Sequence, residues 1–249
     1  MIAMHILVLC FFPAFHPPAS GGEQRLFHLY MSLPPEFQVT LLTSTDFGAR
    51  REIINHSPNF CEHRFPKDQN WQDSYRSLNR LRLEGDLAGL AMALAIADPN
   101  CSYTQFARAL APNVDLIIHE FPYTSQIFSD GQFTHKEVYN SHNFENSLLG
   151  SIVSGPGLQE IWLKLFRLEK DLSRRVSKIL ATSEADADKF HFCYGIPRSK
   201  IGICPNGYDE KELRSIVTWR GTAVKSPARR PRVLFFGSAH PPNVEAAQA

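Results

Sequence analysis

Two glycines stand at the start of a predicted helix, where they could bring a ligand close to the backbone. The segment Ser20-Gly21-Gly22-Glu23 fits a capping box, in which the first and last side chains bond the open N–H groups of a helix start. Helix propensity gives no reason for the glycine pair, since each glycine costs about 1 kcal/mol inside a helix. The positive end of a helix binds anions such as phosphate or pyrophosphate. The alternative is a flexible loop whose glycines ease a turn, and the dinucleotide fingerprint G-x-G-x-x-G is absent.

A second group of polar residues follows a predicted strand. His142 and Glu145 come just after the run Glu137–Asn140. Ligands of open α/β sheets bind at the carboxyl ends of the strands, so both side chains are candidates for a general acid or base, or for a hydrogen-bond donor to a bound hydroxyl group. The alternative is that His142 is a loop residue that satisfies backbone groups.

A third group closes another predicted strand at the same edge. Glu120 and Tyr123 follow the apolar run that ends at His119. Both could line the pocket of an acceptor substrate. The alternatives are a carboxylate that caps backbone groups for Glu120 and a packing aromatic for Tyr123.

The elements that must position these residues alternate along the chain. A buried parallel strand appears as a short apolar run without alternation, because helices cover both of its faces. Such runs are Met4–Leu9, Phe37–Thr43, Val114–His119, Glu137–Asn140, Lys178–Thr182, Lys200–Cys204 and Arg232–Phe236. Helical patterns occur between them at Gly22–Leu33, Ser74–Ala97, Leu158–Val176 and Ala185–Tyr194. This alternation predicts the α/β class, with a Rossmann-like doubly wound parallel sheet.

The composition excludes several classes of protein. The 249 residues carry a formal net charge of +1, so no strong field favours nucleic acid. The 5 cysteines are widely spaced without a C-x-x-C pair, which predicts neither a disulfide framework nor a zinc site and favours a reducing cytoplasm. The apolar N-terminal run lacks the basic flank of a signal peptide, and no run approaches the roughly 20 residues of a membrane span.

The pattern of strands and helices breaks down near the C-terminus. Between Trp219 and Val233 the chain has basic residues and prolines but no acidic residue, which is typical of an exposed linker. We therefore predict one domain at 1–209, a linker at 210–231 and the start of a second Rossmann-like domain at 232–249. A single strand and the first turn of a helix cannot bury a core, so we expect the second domain to continue past Ala249.

The order of these motifs resembles family 4 of the retaining glycosyltransferases, whose GT-B architecture consists of two facing Rossmann-like domains. The chain first supplies G-G-x-x-R, at Gly21, Gly22 and Arg25, and then H-N-x-E, which begins at His142. The second half supplies I-x-I-C-P-N-G-Y-D and, beyond the predicted linker, F-F-G-S followed by P-N-V-E-A. The last segments are the most specific, and the resemblance covers essentially the whole chain.

The resemblance implies roles for the matching residues. Gly21, Gly22 and Arg25 would approach the diphosphate of the donor, and His142 would contact the transferred sugar. The predicted hinge and donor-side loop would contain Asn206 and Asp209, and Gly237 and Ser238, respectively. The cations and the two glutamates with which the family holds the donor would lie beyond Ala249, so we expect the 249-residue chain to be inactive by itself.

The implied activity is transfer of a hexose-type sugar, with retention, from a nucleotide-diphosphate sugar to a polysaccharide, lipid-linked or other glycan acceptor. No cofactor, metal or nucleic acid is expected. The alternatives are a GT-B-fold nucleotide-sugar epimerase and a non-catalytic module that binds glycan or nucleotide. A basic helix face is either solvated or, for a lipid acceptor, in peripheral contact with the inner face of the membrane. Its residues are Lys164, Arg167, Lys170, Arg174, Arg175 and Lys178.

Overall fold

The computed structural model describes residues 4–14, 18, 20–207 and 214. The chain divides into two compact units, and the division falls between Pro205 and Asn206. The predicted hinge residue Asp209, the donor-side loop at Gly237 and Ser238, and the segment 232–249 lie outside the described residues, as does the predicted linker apart from Arg214. The predicted boundaries at 209 and 231 therefore stay predictions.

The first unit alternates strands and helices in the predicted manner. The strands are β1 (Met4–Leu9), β2 (Phe37–Thr45), β3 (Glu52–Ser57), β4 (Phe60–Pro66), β5 (Glu84–Gly85), β6 (Leu116–His119), β7 (Glu137–Asn140), β8 (Val153–Ser154), β9 (Lys178–Ala181) and β10 (Ile201–Ile203). The α-helices are α1 (Gly21–Met31), α2 (Gln69–Asn79), α3 (Ala88–Ala95), α4 (Ser102–Leu110), α5 (Glu145–Ile152), α6 (Leu158–Arg175) and α7 (Glu184–Tyr194).

One sheet organises the unit, in the strand order β10-β9-β7-β6-β1-β2-β4-β3. Neighbouring strands are parallel from β10 to β4, and β3 pairs antiparallel with β4 at the edge. The order reverses at β1, which pairs with β2 on one side and β6 on the other. This is the doubly wound Rossmann-like arrangement that the sequence predicts, and its ligand crevice is expected where the order reverses.

The central strands are buried because their side chains are apolar on both faces. Ile6, Leu7, Val8 and Leu9 of β1 are all buried in the main core. Burial of each such side chain contributes about 1.5–3 kcal/mol. The strand can therefore hold the loop that follows it in a defined position against the edge of the sheet.

The predicted helical region Ser74–Ala97 is wrong as a continuous helix. Helix α2 ends at Asn79 and α3 begins at Ala88, so the leucine pattern is shared by two helices. Between them Arg82 has a φ of 53° and Gly85 a φ of 115°, which no helix contains. The connecting strand β5 pairs with β8, so this turn is fixed by a partner 70 residues away, beyond the reach of a local pattern.

The hairpin of β3 and β4 is absent from the prediction, and its antiparallel edge departs from a purely parallel sheet. The run Phe60–Pro66 contains glutamate, histidine and arginine, which conceal a buried strand in a hydropathy pattern. Their charges are satisfied inside the fold: Glu62 is buried and bonds both His56 and Arg64. A buried charge with good partners is compatible with a strand.

Candidate active site

The start of α1 is built as the sequence predicts. The Ser20 hydroxyl accepts from the Glu23 N–H at 3.3 Å, and the Glu23 carboxylate accepts from the Ser20 N–H at 3.1 Å, which confirms the capping box. Gly21 is exposed. A Cβ atom at Gly22 would lie 3.3 Å from the Phe12 ring and 3.7 Å from Nδ1 of His142. The missing side chain therefore allows the helix start to lie close to the histidine.

His142 is paired with Glu120 across two neighbouring strands. Glu120 directly follows β6 and His142 follows β7, and these strands are parallel neighbours. Nε2 of His142 lies 2.6 Å from a carboxylate oxygen of Glu120. The side chains are 6% and 0% exposed, so little water competes for the contact. The structure thus brings together one residue from each of two groups that the sequence analysis treated separately.

The carboxylate of Glu120 is held in its ionised form. The Asn140 amide donates to both of its oxygens, at 3.0 and 3.1 Å, and the Tyr30 hydroxyl also donates to it. Burial alone would raise the pKa of Glu120, but the hydrogen bond from His142 and those from its other partners lower the pKa below its usual value. An ionised carboxylate only accepts, so Nε2 of His142 carries the proton that is donated to it.

The second ring nitrogen of His142 is available to a ligand. In the part of the chain that the structure describes, no hydrogen bond to Nδ1 occurs, and this atom faces Gly22. The ring is fixed by Phe121, with centroids 4.5 Å apart, and the Thr182 hydroxyl donates to the His142 carbonyl at 3.3 Å. A fixed imidazole with one open nitrogen can accept a proton from, or bond to, a group at the start of α1.

Arg25, the third residue of the glycine motif, is buried at the carboxyl edge of the sheet. Its side chain donates to the Cys204 carbonyl at 2.8 Å and to the amide oxygen of Asn140 at 2.7 Å. The residue is 7% exposed. Both terminal nitrogens of the guanidinium thus bond protein groups, and the predicted contact with a diphosphate stays a prediction.

Glu145 and Tyr123 form a separate buried cluster with Glu169 of α6. The Tyr123 hydroxyl donates to Glu145 at 3.0 Å, and Glu169 accepts from the backbone N–H groups of Glu145 and Asn146 at the start of α5. Burial, together with the charge of Glu169, raises the pKa of Glu145 to about 8, and burial raises the pKa of Glu169 to about 7. Both predicted site residues, Glu145 and Tyr123, are buried and support the segment that follows His142, and their predicted roles in catalysis and in the acceptor pocket stay predictions.

The loop after β1 is fastened to β4. Glu62 accepts from the Ala14 N–H at 3.0 Å, and Arg64 donates to the Ala14 carbonyl at 3.2 Å. Burial alone would raise the pKa of Glu62, but hydrogen bonds from His56 and Arg64 lower it, so the carboxylate stays ionised. This loop carries Phe12, whose ring lies next to Gly22.

The predicted basic face of α6 is partly occupied within the fold. Arg175 donates to the buried carboxylate of Glu137 at 2.8 Å and to the Ser125 carbonyl at 2.9 Å, so this residue is structural. Arg167 and Arg174 are exposed, and Lys164 and Lys170 are half-buried. The interpretation of the face as uniformly solvated is therefore wrong for Arg175.

Several residues of the site were missed by the sequence analysis. Tyr30 and Glu169 are single polar positions on helices, and no local pattern distinguishes them from core or solvent-facing residues. Asn140 is the last residue of β7, and this position at the carboxyl end of a strand could have identified it as a candidate site residue. Asn206, the predicted hinge residue, is exposed, and its role stays a prediction.

Two kinds of feature are absent from the residues that the structure describes. No group of three or more histidine, cysteine, aspartate or glutamate side chains in these ranges could hold a metal ion. No helix in the same ranges is long and apolar enough to cross a bilayer. All 5 cysteines are free thiols.

Comparison with solved structures places the fold among Rossmann-like GT-B domains. The α,α-trehalose-phosphate synthase (UDP-forming) of Burkholderia vietnamiensis is 13% identical, with a TM-score of 0.56 over 89% of this chain and 53% of that one. The sucrose-phosphate synthase of Thermosynechococcus elongatus is 14% identical, with a TM-score of 0.51 over 86% and 52%. The E. coli trehalose-6-phosphate structure bound with UDP-2-fluoro glucose is 11% identical, with a TM-score of 0.50 over 87% and 54%.

These similarities establish the fold alone, because the identities are low. The chain spans about half the length of each of these structures. No protein-family model matches the sequence, and no curated protein does. The predicted Rossmann-like fold is confirmed, whereas membership of glycosyltransferase family 4 stays a prediction.

Proposed function

We propose that this chain is the acceptor-side domain of a GT-B glycosyltransferase. The enzyme transfers a hexose-type sugar, with retention, from a nucleotide-diphosphate sugar to a glycan or lipid-linked acceptor. The solved structures of similar fold support this: two are sugar-phosphate synthases, and the third is bound with UDP-2-fluoro glucose. The resemblance to family 4 points the same way.

One observation carries the proposal: the open Nδ1 of His142 faces Gly22 at the start of α1, where the strand order of the sheet reverses. A doubly wound sheet binds its ligands at this point. The helix start offers N–H groups and positive potential to a diphosphate. The histidine adds a directed hydrogen-bonding atom within reach of the sugar that the diphosphate carries.

In the proposed chemistry, the start of α1 and His142 have separate roles. The start of α1 stabilises the negative charge that develops on the leaving diphosphate, an electrostatic role that needs no metal. His142 accepts a hydrogen bond at Nδ1 from a hydroxyl of the transferred sugar, and Glu120 holds the proton on Nε2. The bond between the sugar and the diphosphate breaks, the bond to the acceptor oxygen forms on the same face, and the acceptor proton passes to the departing phosphate.

The proposal is tested on the protein expressed from its full reading frame. It is incubated with labelled UDP-glucose, ADP-glucose, GDP-mannose or UDP-N-acetylglucosamine, with and without a mixture of glucose 6-phosphate, oligosaccharides and lipid extract. We expect nucleoside diphosphate release that depends on acceptor, and a product with the donor's anomeric configuration by NMR. Interconversion of the donor sugar without acceptor would assign an epimerase instead. Binding of a donor without its consumption would assign a binding module.

A lipid-linked acceptor would bring the domain to a membrane surface. Trp162 and Leu163 of α6 are 38% and 42% exposed, and Lys164 and Arg167 follow them on the same helix. Exposed apolar side chains next to basic ones suit an anionic lipid surface. We propose this part of α6 as the contact with the inner face of the membrane.

Vesicle sedimentation tests the membrane contact. We expect the protein to bind phosphatidylglycerol vesicles more tightly than phosphatidylcholine vesicles, and to be released by 0.5 M salt, roughly the range in which screening removes such attraction. The double variant Trp162→Ala, Leu163→Ala should lose most of the binding, whereas Phe47→Ala, a change to an exposed aromatic elsewhere, should not. Equal sedimentation of wild type and double variant would contradict the contact and favour a water-soluble glycan acceptor.

A further inference from the structure

A continuous line of hydrogen bonds joins His142 to the last residues of the first unit. His142 bonds Glu120, and Glu120 accepts from the amide of Asn140. The amide oxygen of Asn140 accepts from Arg25, and Arg25 also donates to the Cys204 carbonyl. Cys204 follows β10 and stands next to Pro205, where the unit ends.

Arg25 decides which way the amide of Asn140 points. An amide presents an oxygen on one side and an NH2 group on the other. Because the oxygen accepts from Arg25 at 2.7 Å, the NH2 group is directed at both oxygens of Glu120. A reversed amide would place its oxygen against an ionised carboxylate. The side chain of Asn140 is buried, so water cannot replace the missing donor.

The other nitrogen of Arg25 fixes the end of the unit to the same amide. The Cys204 N–H donates to the Ala181 carbonyl at 2.8 Å, which continues the ladder of β10 and β9. The carbonyl of the same residue accepts from Arg25. A shift of this segment would therefore pull on the guanidinium that orients Asn140.

We propose that Arg25 is a positioning residue, which sets the geometry of the His142–Glu120 pair and couples it to the segment through which the chain leaves the first unit. The inference rests on the proposed function only in treating His142 as the side chain that contacts the transferred sugar. It differs from the role implied by the family resemblance, in which Arg25 would approach the donor diphosphate. Here both terminal nitrogens of the Arg25 guanidinium bond members of the hydrogen-bonded line from His142 to Cys204, which we call the relay.

Histidine-selective 15N and 13C labelling of the full chain tests the relay without any substrate. The His142 signals are assigned by their loss in His142→Asn. In the wild type we expect one tautomer, with the proton on Nε2. In Arg25→Met we expect shifted His142 signals with both tautomers populated, because the Asn140 amide is no longer oriented. Amide exchange at Cys204 should rise about tenfold in the same variant.

Coupling between two ends of a relay is reciprocal. We therefore expect Glu120→Gln, a change at the histidine end, to raise amide exchange at Cys204 as well. Arg25→Lys retains one cationic donor and should give an intermediate effect, which keeps the test readable if Arg25→Met fails to fold. Arg174→Met is the matched control: Arg174 is exposed on α6 and donates to a backbone carbonyl outside the relay.

Unchanged His142 signals in folded Arg25→Met or Arg25→Lys would overturn the proposal. So would a variant whose His142 signals are unchanged but whose affinity for UDP, measured by calorimetry, falls tenfold or more, since this outcome assigns Arg25 to the diphosphate. A failure of the proposed function would appear differently, because no donor would be consumed in the transfer assay. The tautomer of His142 and the amide exchange at Cys204 are measured without substrate, so they test the role of Arg25 independently of that assay.

Discussion

Replacing His142 with alanine is expected to lower the rate of sugar transfer by about 100-fold or more, the size of effect typical of losing one preorganised hydrogen-bonding group at a reacting centre. The physical reason is the fixed geometry of this residue: Glu120 holds its Nε2 at 2.6 Å, and its Nδ1 faces the start of α1 at Gly22. Alanine removes the hydrogen-bonding atom and leaves the helix start intact. The measurement is acceptor-dependent release of nucleoside diphosphate by the protein from the full reading frame.

A second variant identifies the pair as one unit. Glu120→Gln should also slow transfer. The double variant Glu120→Gln, His142→Ala should have nearly the same rate as His142→Ala, because the effects of residues that act together are not additive. His135→Ala is the control, since His135 is exposed and precedes the opposite end of β7. A rate for His142→Ala within about threefold of wild type would refute the assignment of His142 as a catalytic residue.

Replacing Glu145 with glutamine is expected to change how stability depends on pH. The folded pKa of Glu145 is raised to about 8, above the ordinary value of 4.5, because of burial and the nearby charge of Glu169. Between these values the folded protein holds a proton that the unfolded chain has lost. The resulting stability is complete below about pH 4.5 and is lost as the pH rises through 8. Glutamine is neutral throughout and removes this loss.

Urea unfolding at pH 6 and pH 9 measures the difference. We expect Glu145→Gln to gain at least about 2 kcal/mol relative to wild type between these pH values, since one pKa unit corresponds to about 1.4 kcal/mol. Glu84→Gln, at an exposed position, should follow the wild type. Parallel pH dependences of the Glu145 variant and the wild type would show that the carboxyl is ionised in the folded state.

The sequence predicts the parts of this fold that depend on local pattern. The strand Met4–Leu9 and the capping box at Ser20 are visible in consecutive residues, and both are confirmed. The hairpin of β3 and β4 was missed because Glu62 is charged, although its partners come from other strands and a loop. A hydropathy value depends only on the residue type, whereas burial of a charged side chain depends on partners that are distant in the chain.

The candidate site was predicted in part for the same reason. His142 and Glu120 were both expected at the carboxyl edge of the sheet, but their pairing depends on β6 and β7 being neighbours, which no single segment reveals. Tyr123 and Glu145 were expected separately, and their bond to each other in a buried cluster depends on the fold, while their predicted roles stay predictions. Arg25 is the clearest case, since its partners Asn140 and Cys204 are 115 and 179 residues away.

The attachment of Ala14 to β4 has a consequence for how such a protein can change during evolution. Ala14 is held through both of its backbone groups, since its N–H donates to Glu62 and its carbonyl accepts from Arg64. His56 of the outermost strand bonds the carboxylate of Glu62 as well. The outer edge of the sheet thus takes part in placing the loop that carries Phe12 to the start of α1. Substitutions in that hairpin can alter which ligands are accepted while every residue that touches the ligand is inherited unchanged.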